Sequence, residues 1–280
     1  MHISPLVSER KLEPVINQIE KEEADYNIFL GDLIDSPKDL DNADSRRLLT
    51  NTIKRSATIA PTIVILGSHD FVLESKSGNA VVANGEFWQE LDDIKDVHIL
   101  LDRTYQDEKM FFMGYVQTLK YYYNNIEKTH IEDLEAFYED MVTKENLYKN
   151  LPKDVPTVGL IHSPEFAKDE KNVELMKEYN LLLGGHDHDG CVPFGLFNTK
   201  RGLISPKKEL FPKDVRGVRT LSSGTDLLIS GGIVKMGNSC PKIMQPLNYL
   251  CPMQMETVEL TNDETYKDNI SVSKRLVRTR

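Results

Sequence analysis

Residues 26–35, Tyr26-Asn27-Ile28-Phe29-Leu30-Gly31-Asp32-Leu33-Ile34-Asp35, set the reading of this chain. The run from Tyr26 to Leu30 is short, largely apolar and closed by Gly31-Asp32, which is the signature of a strand ending in a polar turn. The pattern recurs. Thr62–Leu66 is β-branched and ends in Gly67-Ser68-His69-Asp70; Thr157–Ile161 ends in His162; Leu181–Leu183 ends in Gly184-Gly185-His186-Asp187-His188. Further strands are expected at His98–Leu101 and Met110–Met113. Leu12, Val15, Ile16 and Ile19 fall at helical spacing, with Pro14 tolerated near the first turn, and Ala43–Ala60 also reads as helix. Strands alternating with helices predict an α/β layered domain, in which ligands gather beyond the carboxyl ends of the strands.

The chain has 280 residues, with 34 basic against 44 acidic side chains and a net charge of −10. An acidic balance argues against general nucleic-acid binding or a coat for anionic membranes, while leaving room for a phosphate-bearing substrate neutralised by bound metal. No apolar run approaches the ~20 residues of a membrane helix, and residues 1–30 lack a leader pattern. Cys191, Cys240 and Cys251 include no C-x-x-C pair and read as buried thiols of a reducing compartment, so a cytoplasmic location is the default. We expect one domain over residues 1–262 and a polar, basic tail over 263–280, frayed from Lys274. Residues 117–156, with Tyr121-Tyr122-Tyr123 and an amphipathic segment, interrupt the strand-helix rhythm and read as an inserted helical cap or lid, or as surface helices packing their aromatics.

His2, His69, His162, His186 and His188 all sit in polar turns, together with Asp32, Asp35, Asp70 and Asp187. Imidazole and carboxylate suit zinc, manganese or iron, and a carboxylate such as Asp32 can bridge two ions. Two ions ~3.5–4 Å apart generate a hydroxide and clamp a phosphoryl group. Each piece alone is weak, since Gly-Asp-x-x-Asp is a common turn and a single histidine is more often structural. The ordered set carries the argument. Arg216 and Arg219 offer guanidinium forks to a phosphate, or are surface charges.

The series x-His2-x-Ser4, Gly31-Asp32-x-x-Asp35, Gly67-Ser68-His69-Asp70, isolated His162 and Gly185-His186-Asp187-His188 resembles the calcineurin-like metallophosphoesterases over residues 2–260. The resemblance implies a four-layer αββα sandwich of two mixed β-sheets and a binuclear centre. It implies His2, Asp32 and His188 on one ion, and Asp32, Ser68, His162 and His186 on the other. His69 would assist the leaving oxygen without binding metal, with Asp70 fixing its ring, and Arg216 would meet substrate. The implied reaction is hydrolysis of a small phosphodiester or pyrophosphate by a metal-bound hydroxide; Arg216-Gly217, Leu227–Ile233 and Cys251-Pro252 are similar to bacterial phosphodiesterases such as UDP-2,3-diacylglucosamine pyrophosphatases and cell-wall phosphodiesterases. A lipid-linked or nucleotide-sugar substrate follows, with peripheral membrane association if an anchor lies upstream. Alternatives are a nuclease of the same superfamily or a weakened member acting as a binding module.

Two departures stand out. The family's first Asp belongs two residues before His2, so the expectation is that this Asp and its strand are missing by N-terminal truncation. Ser68 occupies the place of an Asn, a better neutral ligand than a hydroxyl.

Overall fold

A computed structural model describes residues 1–73, 80–82, 84–117, 121–122, 151–170, 172–190, 202, 205, 209–233, 253–260 and 270–277. Three helices, α1 (Glu9–Glu22), α2 (Ala43–Ala57) and α3 (Gly85–Asp92), accompany the strands β1 (Asn27–Leu30), β2 (Thr62–Ile65) and β5 (Val97–Ile99). These strands form a wholly parallel sheet in the order β1-β2-β5. Between β2 and α3 lies the hairpin β3 (Phe71–Leu73) and β4 (Ala80–Val82). The remaining strands of the sandwich are β6 (Arg103–Gln106), β7 (Phe111–Gly114), β8 (Thr157–Ile161), β9 (Leu181–Gly184), β10 (Gly217–Thr220) and β11 (Asp226–Ile229). They make a six-stranded mixed sheet, β10-β11-β9-β8-β7-β6, parallel through its centre and antiparallel at both edges. Of the two sheets, then, one is mixed and the other parallel; the crossovers through α2 and α3 require parallel neighbours.

Alternation along each strand divides the interior into three apolar layers. Ile63 and Ile65 point across to Val158, Leu160, Leu181, Leu183 and Leu228, filling the space between the sheets. Phe29, Val64, Val97 and Ile99 point the other way, against Leu12, Ile16, Leu49, Ile53 and Trp88 of the three helices. On the far side, Ile161, Leu182, Leu227 and Ile229 pack on Phe166, Ala167 and Met176 from the short helices α4 (Glu165–Lys168) and α5 (Val173–Met176). Two sheets flanked by helices result, as the family resemblance implied. Complete burial of a residue such as Leu160 or Ile63 is worth about 1.5–3 kcal/mol, so register in the central strands is firmly set.

Local chemistry explains the helix boundaries. Asn42 caps α2, its Oδ1 accepting from the Ser45 N–H at 2.9 Å. Helix α1 buries Leu12, Val15, Ile16 and Ile19 and stops at Glu23, whose backbone is left-handed at φ 47°. It begins at Glu9, earlier than its apolar periodicity indicated. Pro14 therefore lies in the second turn, where the Arg10 carbonyl loses its helical donor.

The expected frayed tail is corrected. Ile270–Val277 is a strand, β13, paired antiparallel over its whole length with β12 (Met253–Leu260). Ile270, Val272 and Leu276 share one parity while Ser271, Ser273 and Arg275 occupy the other, a two-residue period that favours a strand. The boundary placed at 262/263 thus falls inside a hairpin, which Thr257 ties to α1 through a 2.8 Å bond to Glu22. Cys191, Cys240, Cys251 and His130 lie outside the described residues, as does most of the expected cap over 117–156.

Candidate metal centre

The polar turns after β1, β2, β8 and β9 open at one end of the sandwich, where the carboxyl ends of parallel strands from both sheets meet. Close approach of the turns demands glycine twice. A Cβ on Gly31, at φ +84°, would lie 2.6 Å from His162 Nδ1 and 2.7 Å from the Gly67 nitrogen. A Cβ on Gly67 would strike the Asp32 carboxylate and stand 2.6 Å from His162 Cε1. Strain concentrates here too. Four site residues have left-handed backbones without being glycine: His2 (φ 54°), Asp32 (49°), His186 (60°) and His188 (49°). Such conformations cost on the order of 1–3 kcal/mol each and cluster at functional sites.

Asp32 is the hub. Its Oδ1 accepts from the His69 backbone N–H at 2.9 Å and from Ser68 Oγ at 3.3 Å; its Oδ2 lies 3.0 Å from His162 Nε2 and 3.6 Å from His2 Nε2. His2, Asp32 and His69 each present a ligand atom within 4.8 Å of the others, and so do Asp32, His162 and His186. Asp32 belongs to both groups. Asp32 Oδ2 and His162 Nε2 are buried and close, yet not aligned as a hydrogen bond. A buried imidazole-carboxylate set of this kind fits a divalent cation chemically.

The shifts of His2 and Asp32 agree with that fit, and that of His162 runs against it. Burial pushes His2 down to about 4, against the pull of Asp35 and Asp32, so its imidazole is neutral near pH 7. Burial acts to raise Asp32, but His162, His69 and His2 hold it well below the usual carboxylate range. For His162, burial lowers affinity for the proton and Asp32 more than restores it, leaving it raised. Metal ligation needs ionised carboxylate and neutral imidazole, so at His162 a cation would compete with the proton that Asp32 favours.

The expected site residues converge, with changes in arrangement. His188 meets His2, their Nε2 atoms 3.2 Å apart, while His69 groups with His2 and Asp32, where only His188 was expected. Ser68, expected as a ligand, donates to Asp32 Oδ1. The expected role of Asp70 in fixing the His69 ring is corrected. His69 Nδ1 lies 2.5 Å from the Asp35 carbonyl, whereas the Asp70 carboxylate accepts from the Gly67, Leu33 and Ile34 N–H groups at 2.8, 3.1 and 3.3 Å. Asp70 thereby staples the first two turns together; burial and the charge of Asp32 push it up to about 6. Asp35 also places Oδ1 3.3 Å from His2 Nδ1. Asp187, read as facing solvent or supporting the ligands, is buried. His98 stacks on Tyr105 in β6, away from the centre.

Arg216 precedes β10, the outer edge strand, two strands from β9, and Arg219 pairs with Asp214 at 3.0 Å. Sequence reading missed Tyr122 and Gln117. The Tyr122 ring packs 5.6 Å from His162 and 5.4 Å from His186, and its hydroxyl donates to Gln117 Oε1. Gln117 in turn clasps the backbone N–H and C=O of Ser163. Only the Tyr121-Tyr122-Tyr123 run signalled anything, and it pointed to a lid.

No curated protein matches the chain. Residues 7–190, which contain all of these ligand candidates except His2, match the family model of the calcineurin-like phosphoesterases. The chain accordingly belongs to the calcineurin-like phosphoesterase family and is a metal-dependent phosphoric ester hydrolase.

Proposed function

We propose that this centre holds two divalent ions, of manganese, zinc or iron, and hydrolyses a small phosphodiester or pyrophosphate bond. The observation carrying the proposal is Asp32, a single carboxylate whose Oδ2 stands 3.0 Å from His162 Nε2 on one side and 3.6 Å from His2 Nε2 on the other. Bound ions would activate water and offset charge on the phosphoryl oxygens. The protein's own contribution is positional. Asp35 accepts from His69 Nδ1–H, leaving Nε2 to pass a proton to the leaving oxygen. The His69 backbone N–H and Ser68 hydroxyl anchor Asp32, and the Leu30 carbonyl accepts from His162 Nδ1–H at 2.6 Å, which turns Nε2 toward the centre.

A lipid-linked or nucleotide-sugar diester is the substrate class we favour, with Arg216 on its phosphate and the cytoplasmic side as its location. Peripheral membrane association is part of this reading; among the described residues no helix is long and apolar enough to cross a membrane. Calorimetry with Mn²⁺, followed by hydrolysis of bis-p-nitrophenyl phosphate, tests the proposal. Two ions per chain and turnover that falls roughly 10²–10⁴-fold in His69→Ala are expected. Full loading without turnover would show a binding module, and cleavage confined to nucleic acid would show a nuclease.

A further inference from the structure

β7 and β8 run parallel in a register that sets Phe111 against Thr157 and Gly114 against Leu160. The Tyr115 N–H adds one more backbone bond, to the Leu160 carbonyl at 3.0 Å. Beyond it the backbone turns off, and the Val116 N–H goes to Asp102 Oδ1 at 2.9 Å. The same register carried on to residue 117 sets Gln117 opposite Ser163, the residue that follows His162. The Gln117 side chain stands in for the missing strand there. Its Nε2 donates to the Ser163 carbonyl at 2.7 Å, and its Oε1 accepts from the Ser163 N–H at 2.6 Å. A primary amide carries donor and acceptor side by side on one plane, as a peptide group does, so it can continue a ladder that the backbone has left.

This pairing flanks a candidate ligand. On the β9 side the Gly185 N–H donates to the His162 carbonyl at 2.9 Å, and on the β7 side Gln117 holds Ser163, so the chain is pinned on both flanks just past the end of β8. The Ser163 hydroxyl donates to the Tyr121 carbonyl at 2.8 Å, and the Tyr122 hydroxyl to Gln117 Oε1 at 3.1 Å, with the Tyr122 ring against both His162 and His186. Gln117, Tyr122 and Ser163 are buried, where a backbone bond left unmade is costly. We propose that Gln117 is a positioning residue: it completes the β7 lane beside His162, fixes the His162–His186 imidazole pair, and sets metal affinity on that side of the centre but not on the His2 side. The role rests on the reading of these histidines as ligands given above.

Spectra of the isotope-labelled histidines, recorded as Zn²⁺ is added, read the two sides separately. Gln117→Met keeps the length without the amide; Gln117→Asn keeps the amide but falls a methylene short. Each should raise the Zn²⁺ concentration that half-shifts the His162 and His186 signals roughly 10–100-fold, while the His2 signal moves by less than about threefold. In EDTA the Ser163 amide should exchange at least about tenfold faster in both variants. Should Gln117→Met not fold, Gln117→Asn decides the comparison. Ser163→Ala loses the bond to Tyr121 but keeps the amide pair, and should leave both affinities within about threefold of the parent. Equal weakening on both sides, unchanged affinity, an equal loss in Ser163→Ala, or an unaltered Ser163 exchange rate overturns the proposal. Normal Zn²⁺ loading of the parent with no effect of the variants overturns this role alone. A parent whose His162 and His186 signals ignore Zn²⁺ overturns the ligand reading and this role with it.

Discussion

His162 and His186 leave the ends of β8 and β9, strands paired on both sides within the six-stranded sheet, whereas His2 belongs to a segment, residues 1–3, held to residues 32–35 by four backbone hydrogen bonds and one isolated bridge. The first pair is further braced by the Leu30 carbonyl and the Tyr122 ring. His2 depends on Asp35, itself in a turn. Equivalent chemistry is thus mounted on an interior frame on one side and an edge on the other, and Asp32 is the carboxylate common to both. The difference teaches that ligand identity and ligand rigidity come from separate sources. Side-chain type supplies the first, and pairing within a sheet supplies the second.

The largest expected effect attacks the junction. Asp32→Asn removes the carboxylate common to both groups and should lower turnover at least about 10³-fold while abolishing tight binding at both positions, measured by calorimetry. If one ion still bound tightly, the two halves would be independent and the comparison wrong. Next comes the contrast itself, read by hydrogen exchange of the metal-free protein. The His2 and Ile3 amides should exchange roughly 10²-fold faster than the Gly185 amide, although all three make backbone bonds of 2.8–2.9 Å. Equal rates would mean that the edge is as rigid as the interior.

Asp70 gives a pH signature, because it staples the turns beneath both halves. Its carboxyl is raised from 3.8 to about 6, so the fold favours its protonated form. The stability this contributes is complete below about pH 4 and is lost as pH rises through 6, a swing on the order of 2 kcal/mol. Subtracting the urea-denaturation profile of metal-free Asp70→Asn from that of the parent should expose the decline; a flat difference between pH 4 and 6.5 would refute it. The smallest effect tests the bracing. Tyr122→Phe keeps the ring against His162 and His186 but loses the bond to Gln117, costing about 1 kcal/mol by denaturation and altering metal affinity only slightly.

Much of the fold was legible because apolar runs ending in Gly, Asp or His are local signals. Thr157–Ile161 matches its strand throughout, and Thr62–Leu66 and Leu181–Leu183 each match to within one residue. β10, an edge strand, went unread because polar residues dilute its periodicity, β11 because its apolar run Leu227–Ile229 is only three residues long, and β13 because its charges masked its alternation. The site was legible as a set of residue types, since few chemistries use five histidines and repeated aspartates in strand-ending turns. Its arrangement was not. That Asp70 faces the backbone while Asp35 orients His69 depends on how two turns pack, which spacing does not encode.

By itself, then, the sequence determined the layered α/β plan, the turns that carry the chemistry and the preference for a divalent cation, because each rests on short-range pattern or on the intrinsic affinity of a side chain. Tertiary structure alone decided which carboxylate is held in common, which histidines stand together, and that Tyr122 backs two of them. Those are contacts between residues tens to more than a hundred positions apart, and their geometry follows from the packing of two sheets face to face.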